Sequence, residues 1–215
     1  MSKKNQKFLH IGCGDNVLPN PFINLDARKR KGAKQGKAYP LKFKSNIFDL
    51  VYASHVLEHF KKKDVLKVLK DWVRVLKPGG TLRISVPCFE NLTKIYKIDK
   101  NINNIIGPLM GGQTYKENFH YNIFNKEKLS SLMEQAGLEA IHPWDVSRTS
   151  HSKFWDFSQA TTQEMLISLN LEGRKKLNKK ELEDLDIHEL KKLILKIKKN
   201  KKSKKKLKVF FKNFK

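Results

Sequence analysis

Short apolar runs separated by polar turns dominate the first part of the chain. The runs at 7–11, 21–26 and 47–54 have the length and composition of buried β-strands. Between 64 and 77 the apolar residues recur at helical spacing, and Asp64 stands where an N-terminal capping residue is expected. The pattern therefore predicts three strands followed by a helix.

The alternation of strands and helices continues beyond this helix. Pro-Gly-Gly at 78–80 is predicted to end the helix, and 81–87 is predicted to be the next strand. The segment 126–137 predicts a second helix that Gly137 closes, and 138–144 predicts a strand. Such alternation indicates an α/β fold: a Rossmann-like, mostly parallel sheet with helices on both faces. Ligands of such sheets bind beyond the carboxyl ends of the strands.

Charge is distributed unevenly along the 215 residues. The whole chain has 45 Lys and Arg against 21 Asp and Glu, a formal net charge of +24. Residues 174–215 hold 18 of the basic and 5 of the acidic residues, more than half of the excess. We therefore expect a folded domain over 1–173 and a Lys-rich, amphipathic helical tail over 174–215. The excess indicates a polyanionic partner: nucleic acid, an anionic membrane or a phosphorylated substrate.

Two apolar stripes within the tail predict amphipathic helices. One lies in 182–200 and the other in 207–215, with a Lys-rich run at 201–206 between them. Basic helices with phenylalanines on one face are typical of segments that bind anionic membranes, so 182–215 is a candidate for that role. RNA is the alternative partner, because lysine runs neutralise phosphates without reading sequence. A solvated tail that folds onto nothing is the third possibility.

The cysteines and the N-terminus indicate a cytoplasmic protein. Cys13 and Cys88 belong to no CxxC pair, so the sequence gives no support to a disulfide framework or a zinc ribbon. The first residues contain no apolar signal region, and no apolar run approaches the length that spans a bilayer. If the tail binds a membrane, the protein would be peripheral at its inner face.

The first predicted strand ends in a loop with two glycines, "HIGCGDN", which indicates that a ligand approaches the backbone closely. A dinucleotide fingerprint would need a small residue where the chain has Val17, and an acid further along than Asp26. Pro19 and Pro21 interrupt any long helix on which a pyrophosphate would sit. A P-loop is excluded because no GK[ST] follows the glycines. A nucleoside without a pyrophosphate remains, with Asp26 placed to accept hydrogen bonds from its ribose.

Four segments in this order, "LHIGCGDN", "INLDAR", "IFDLVYASHVLEHF" and "VLKPGGTLRISVP", carry a family resemblance. They resemble the class I S-adenosylmethionine-dependent methyltransferases, in particular the small bacterial relatives of the type 11 methyltransferase domain. The resemblance spans residues 8–158 and implies a seven-stranded sheet whose last strand runs antiparallel.

The resemblance also implies S-adenosylmethionine as the cofactor and a set of residues that hold it. The set comprises the methionine-side residues Gly12, Cys13 and Gly14, the ribose-binding Asp26, and Ser54 and His55 beside the sulfonium. The acid that the family usually places near the adenine has no counterpart in the segment 37–43.

The sulfonium already makes the methyl group electrophilic, so the protein must align an acceptor and exclude water. A hydroxyl acceptor also benefits from a base near neutral pKa, for which histidine is the natural choice. His120 is the first candidate for this catalytic role, and His55 and His59 are the second.

Two loop segments, 111–125 and 151–160, are predicted to close over the acceptor side of the pocket. The long connection 111–125 joins core elements and combines glycines, amides and aromatic residues, as functional loops often do. The candidate acceptor contacts in these segments are Gln113, Tyr115, His120 and His151.

The stretch "HVLEH" at 55–59 matches H-x-x-E-H, the signature of inverted zinc peptidases. Zinc would need a third protein ligand, and the sequence does not place the candidates Glu134 or Glu139 near the motif. The same pattern also falls here in the methyltransferase family by resemblance. We therefore expect no metal.

Together these features predict an S-adenosylmethionine-dependent methyltransferase that methylates an oxygen of a small-molecule or saccharide acceptor, such as a cell-surface glycan precursor. One alternative is an RNA methyltransferase whose basic tail holds the substrate. Another is a non-catalytic binding module on the same fold.

Overall fold

The computed structural model of this protein describes residues 6–149 and 154–177. A first compact unit spans Met1–Lys175. Its last strand runs to Lys175, so the domain boundary predicted at 173 lies two residues inside that strand. The helices predicted within 182–215 lie outside the described residues.

The described residues contain nine strands and four α-helices, together with short 3-10 turns. The strands are β1 (Phe8–Ile11), β2 (Phe22–Asp26), β3 (Lys34–Gln35), β4 (Phe48–Ser54), β5 (Leu76–Pro87), β6 (Leu138–Pro143), β7 (Thr161–Thr162), β8 (Met165–Leu166) and β9 (Ser168–Lys175). The helices are α1 (Val65–Val75), α2 (Phe89–Asp99), α3 (Asn103–Met110) and α4 (Lys126–Gln135).

Seven of these strands form one sheet in the order β3-β2-β1-β4-β5-β9-β6, and β7 pairs with β8 as a separate hairpin. The five strands from β3 to β5 are parallel neighbours. Strand β9 is inserted antiparallel between β5 and β6. The sheet confirms the predicted mostly parallel α/β fold, including the antiparallel last strand that the family resemblance implied.

The strongest apolar patterns were located to within one or two residues. Helix α1 ends at Val75, and β5 begins directly at Leu76 and includes the Pro-Gly-Gly that was predicted to be a turn. Phe48 pairs with Leu76, and the register then shifts, which places the irregular glycine segment between the helix and the regular part of β5.

Alternating side chains of the parallel strands face two different environments. Leu9 and Val51 point into the main core, which Leu69 and Trp72 of α1 and Leu129 of α4 complete. Burial of such apolar stripes is the main favourable contribution to folding. The helices therefore cover this face as expected.

Around Tyr52, the opposite face of the sheet is covered by a second apolar cluster. Leu18, Trp144, Val146 and Phe154 pack there, and all four lie in loops or short turns. As the prolines at 19 and 21 predicted, the β1–β2 connection contains no helix. Within the described ranges, no helix has the length and apolar character needed to cross a membrane.

Candidate cofactor and active site

A cavity of about 680 Å³ opens at the carboxyl ends of β1 and β4. Its first wall is the loop after β1, from Gly12 to Asn16, and the end of β4 supplies Ser54 and His55. Helix α3 and the segment 111–120 form the wall across from this loop. This is the edge of a parallel sheet where ligands are expected to bind.

Two left-handed glycines shape the loop after β1. Gly12 has a φ of +65°, and a Cβ added there would overlap Cγ2 of Val56. Gly14 has a φ of +54°, but a Cβ added there would meet no atom within 4 Å. Gly12 is thus required for packing against Val56, whereas the space above Gly14 is open for a ligand.

Asp26 holds this loop from behind through its carboxylate. One oxygen accepts a hydrogen bond from the Gly14 amide at 2.8 Å, and the other accepts one from the Arg28 amide at 2.9 Å. Asp26 is only 8% exposed and does not itself line the cavity. Each carboxylate oxygen retains a further acceptor site, so the predicted ribose contact remains chemically available.

A second buried side chain, Asn24, fixes the far end of the same loop. Its side-chain oxygen accepts from the Leu18 amide at 3.0 Å, and its NH2 group donates to the Leu18 carbonyl at 2.8 Å. The His10 ring nitrogen Nδ1 lies 3.1 Å from the same oxygen and must donate to it. The Asn24 side chain therefore fixes the backbone at Leu18 in a connection that contains no helix.

Cys13 lies between the two glycines with its sulfur buried. Burial, with a smaller contribution from the nearby Asp26 charge, raises the pKa of the thiol to about 11. The thiol is therefore neutral near pH 7 and is not an activated nucleophile. Its place in the cavity wall is that of a small packing residue next to the cofactor loop.

Three histidines and one glutamate cluster at the opposite side of the cavity. Glu58 is fully buried, with His55 Nδ1 at 3.3 Å and His120 Nε2 at 4.0 Å from its Oε1. The rings of His59 and His120 meet edge to face, with their centroids 4.7 Å apart. The three histidines line the cavity, and Glu58 lies directly behind them.

Burial keeps this cluster uncharged at neutral pH. It raises the pKa of Glu58 to about 8 and lowers the pKa of His55 to about 3 and of His59 to about 4. The pKa of His120 is lowered by the same cause. Desolvation dominates each of these shifts, because the low-dielectric interior disfavours the charged form of either kind of group.

The zinc-peptidase geometry is not formed by the "HVLEH" motif. Its residues Leu57–His59 form a 3-10 turn rather than an α-helix, and His55 has a φ of +52°. His55 and His59 thus do not share one helical face. Among the described residues, the potential ligand atoms that come together are those of Glu58, His59 and His120, while His55, Glu134 and Glu139 are not part of this group.

The predicted closing segment 111–125 contributes residues from Gly111 to His120 to the cavity wall. The Tyr115 ring lies under the Arg28 guanidinium at 4.0 Å, which links this segment to the end of β2. Tyr115 and His120 line the cavity, whereas Gln113 does not, because its side-chain amide donates to the Met110 carbonyl instead. His151, the fourth candidate acceptor contact, lies outside the described residues.

The second predicted closing segment supplies Asp156 and Phe157 to the cavity wall. The Tyr52 hydroxyl donates to Asp156 at 2.5 Å, and the Phe157 ring lies 5.3 Å from the His55 ring. Burial and the adjacent Asp156 charge raise the pKa of Tyr52 above its ordinary value. The hydroxyl therefore remains a donor that holds Asp156 at the cavity.

The structure brings most of the predicted site residues together and adds several that sequence reasoning missed. Arg28 lies only two residues after Asp26, so its place near the predicted ligand site could have been inferred from the sequence. Pro108 and Asn104 come from α3, which the Gly-Pro pair at 107–108 made hard to recognise as a helix. Glu58 was noted only as part of the "HVLEH" motif.

The segment 37–43, which lacks the family's usual acid, is occupied with packing. Its Leu41 amide donates to Asp71, and the Ala38 carbonyl accepts from the Trp72 indole. None of its residues lines the cavity. The missing acid is therefore consistent with a segment that pairs with α1 instead of contacting the ligand space.

Comparison with known proteins supports the assignment that this geometry suggests. Residues 18–84 match the model of the methyltransferase domain family Methyltransf_11. The chain is 32% identical over 124 residues to the ubiquinone/menaquinone biosynthesis C-methyltransferase of Haemophilus ducreyi, covering 53% of this chain and 46% of that protein. It is 35% identical over 148 residues to the demethylmenaquinone methyltransferase of Lysinibacillus sphaericus, covering 64% of this chain and 57% of that protein. The alignments thus span about half the length of these curated relatives.

Solved structures show the same fold at low sequence identity. An S-adenosylmethionine-dependent methyltransferase of Methanosarcina mazei superposes with a TM-score of 0.54 at 15% identity, covering 82% of this chain and 95% of that chain. A possible histamine N-methyltransferase of Thermotoga maritima gives a TM-score of 0.51 at 22% identity, with coverages of 79% and 82%. Residues 18–84 thus match a methyltransferase domain family, and the chain has the fold of solved S-adenosylmethionine-dependent methyltransferases.

Proposed function

We propose that this chain binds S-adenosylmethionine in the cavity described above and transfers its methyl group to a small-molecule acceptor. The observation that carries the proposal is the loop after β1. Its backbone is fixed by Asp26 on one side, and the space above Gly14 is open to the cavity. A nucleoside cofactor needs such a close, preformed approach to main-chain atoms.

The acceptor would enter between the closing segments and the histidine cluster. Tyr115, Phe157 and Ile167 give this side of the cavity an apolar and aromatic lining, and His55, His59 and His120 supply its polar groups. A small molecule with a ring and an ionisable hydroxyl fits this combination. Alignment of the acceptor with the S–CH3 bond and exclusion of water are the main contributions expected of the protein.

The names of the relatives favour a hydroquinone as the acceptor class. One aligned protein is named as a ubiquinone/menaquinone biosynthesis C-methyltransferase, and the other is named as a demethylmenaquinone methyltransferase. Removal of the hydroxyl proton from a hydroquinone would activate either its oxygen or its ring carbon as the nucleophile. The expected O-methylation of a saccharide has no support from these relatives, so a hydroquinone replaces it in the proposal.

A catalytic base remains a prediction, with His120 as the first candidate and His55 and His59 as the second. His120 lies on the closing segment and is oriented by the Pro108 carbonyl, which accepts from its Nδ1 at 2.8 Å. The basic tail, with its candidate membrane or RNA partner, stays a prediction as well.

Calorimetric titration with S-adenosylhomocysteine tests the cofactor part of the proposal. We expect binding to the full chain and at least a tenfold loss of affinity in Asp26→Asn, equal to about 1.4 kcal/mol. Asp49→Asn is the matched control, because Asp49 bonds the Lys7 amide and Lys77 at the opposite end of β4. No binding by the parent, or equal binding by both variants, would contradict the proposal.

Transfer of labelled methyl groups tests the acceptor part separately. Short-chain hydroquinones are expected to become labelled, whereas sugars and RNA are not. Cofactor binding without any labelling of hydroquinones would overturn the acceptor class and leave the cofactor assignment intact.

A further inference from the structure

Three potential metal ligands converge on the acceptor side of the cavity. Glu58, His59 and His120 each place one ligand atom within 4.8 Å of the others. His120 Nε2 already lies 4.0 Å from Glu58 Oε1. Glu58 and His59 are consecutive in the turn after β4, while His120 arrives from the segment 111–120, more than sixty residues later in the sequence.

The carboxylate of this cluster lacks the partners that a buried acid normally has. Glu58 is 0% exposed, and neither of its oxygens accepts a hydrogen bond within the described part of the chain. His55 Nδ1 approaches to 3.3 Å, but not in hydrogen-bonding geometry. A buried carboxyl group without such bonds requires either a proton or a cation beside it.

The two imidazoles are held so that each presents a lone pair. His59 Nδ1 donates to the Phe119 carbonyl at 3.1 Å, and His120 Nδ1 donates to the Pro108 carbonyl at 2.8 Å. Because a carbonyl can only accept, these bonds place the ring proton on Nδ1 and leave Nε2 unprotonated in both neutral rings. Metal-binding histidines are typically oriented in this way, by a backbone carbonyl on the other ring nitrogen.

We propose that Glu58, His59 and His120 form a binding site for a divalent transition metal ion, with Zn²⁺ as the ion that fits best. Two imidazoles and one carboxylate are a donor set of catalytic zinc sites, which keep a fourth position open. His59 and His120 both line the cavity, so this open position faces the space assigned to the acceptor.

The cluster needs only a modest contraction to bind zinc. Tetrahedral bonds of about 2.0–2.1 Å place neighbouring ligand atoms roughly 3.4 Å apart. The separation of 4.0 Å between Glu58 and His120 is close to this value, and the widest separation in the cluster is 4.8 Å. His59, which is not fully buried, lies in a short turn and is the ligand best able to move inward.

Metal retention by the full chain, prepared without a histidine tag, tests the site directly. After equilibration with Zn²⁺ and desalting, we expect about one zinc per chain by elemental analysis. The variants Glu58→Gln, His59→Gln and His120→Gln should each bind zinc at least tenfold more weakly. His142→Gln is the matched control, because His142 lies on β6 beside Glu172, away from the cavity.

Substitution with Co²⁺ provides a second readout that needs no variant. The parent should show the visible d–d absorption of a tetrahedral site, and excess Mg²⁺ should not displace the ion.

Glu58→Gln preserves the shape of the buried side chain, and thermal unfolding will show that each variant is folded. Absence of stoichiometric zinc, a cobalt spectrum without tetrahedral character, or zinc affinity unchanged in the three variants would overturn the proposal.

The site and the proposed methyl transfer can fail independently. Titration with S-adenosylhomocysteine in the presence of a chelator reports on the cofactor alone, and metal analysis reports on the cluster alone. A protein that binds the cofactor but no zinc would hold Glu58 in its protonated form, a result that contradicts only the metal site.

Discussion

Gly12 and Gly14 have similar backbone conformations but are expected to respond very differently to substitution by alanine. Gly12→Ala places a methyl group against Val56 and leaves a non-glycine residue at a φ of +65°. The left-handed backbone costs about 1–2 kcal/mol, and overpacking against a buried neighbour costs about 1–3 kcal/mol. We therefore expect the free energy of unfolding to fall by about 2–5 kcal/mol.

Gly14→Ala has only the cost of the left-handed backbone in common with Gly12→Ala. Its φ is +54° and its Cβ would have free space around it, so we expect a loss of about 1–2 kcal/mol in the free energy of unfolding. The added methyl group would, however, occupy the space proposed for the cofactor. Affinity for S-adenosylhomocysteine should therefore fall at least tenfold in Gly14→Ala, although this variant is the more stable of the two.

Urea unfolding of a double-mutant cycle isolates the contact behind this prediction. Val56→Ala removes the methyl group that Gly12→Ala would overlap, so the double variant should be more stable than the sum of the single effects by about 1–3 kcal/mol. The coupling should be absent between Gly14→Ala and Val56→Ala. Additive behaviour of Gly12→Ala with Val56→Ala would refute the packing described for this loop.

Three further predictions follow from other parts of the structure. His120→Ala should abolish methyl transfer while changing the affinity for S-adenosylhomocysteine less than twofold; equal turnover would remove His120 from the mechanism. Since the pKa of Cys13 is raised to about 11, its thiolate should appear only above pH 9, and alkylation at pH 8 should be at least 100-fold slower than in the denatured chain. Arg83 donates twice to Glu172 at 2.7–2.9 Å beneath Trp144, so Glu172→Gln should lower the free energy of unfolding by about 1–3 kcal/mol; an unchanged urea midpoint would contradict this.

The sequence patterns located the strands and helices that consist of an apolar segment with clear polar or turn residues at its ends. Strand β4 and helix α1 were predicted to within one or two residues because their apolar positions are both continuous and correctly spaced. The position of strand β9 was not predicted, although Leu169 and Leu171 alternate with polar residues and the family resemblance implied an antiparallel last strand. The polar residues of β9 face the second side of the sheet, so the strand lacks the continuous apolar run by which β4 was recognised.

Within the site, the sequence predicts contacts between adjacent strands but not contacts made by long connections. The glycine loop and Asp26 belong to adjacent parallel strands, so their proximity follows from the topology alone. The approach of His120 to Glu58 depends on the path of a long connection, which is fixed by the hydrogen bond from the Tyr121 amide to the Glu58 carbonyl at 2.8 Å. No local pattern encodes such a contact, so the sequence did not indicate that His120 lies beside Glu58.

The anchoring of the loop after β1 by Asn24 and Asp26 has a consequence for the thermodynamics of binding. Both ends of the loop are bonded to side chains of β2 within the protein itself. A ligand that docks on this backbone does not have to immobilise it, so little conformational entropy is lost in the encounter. Loosening either anchor should therefore appear as a more unfavourable binding entropy and a larger heat-capacity change, even where every atom that touches the ligand is unchanged.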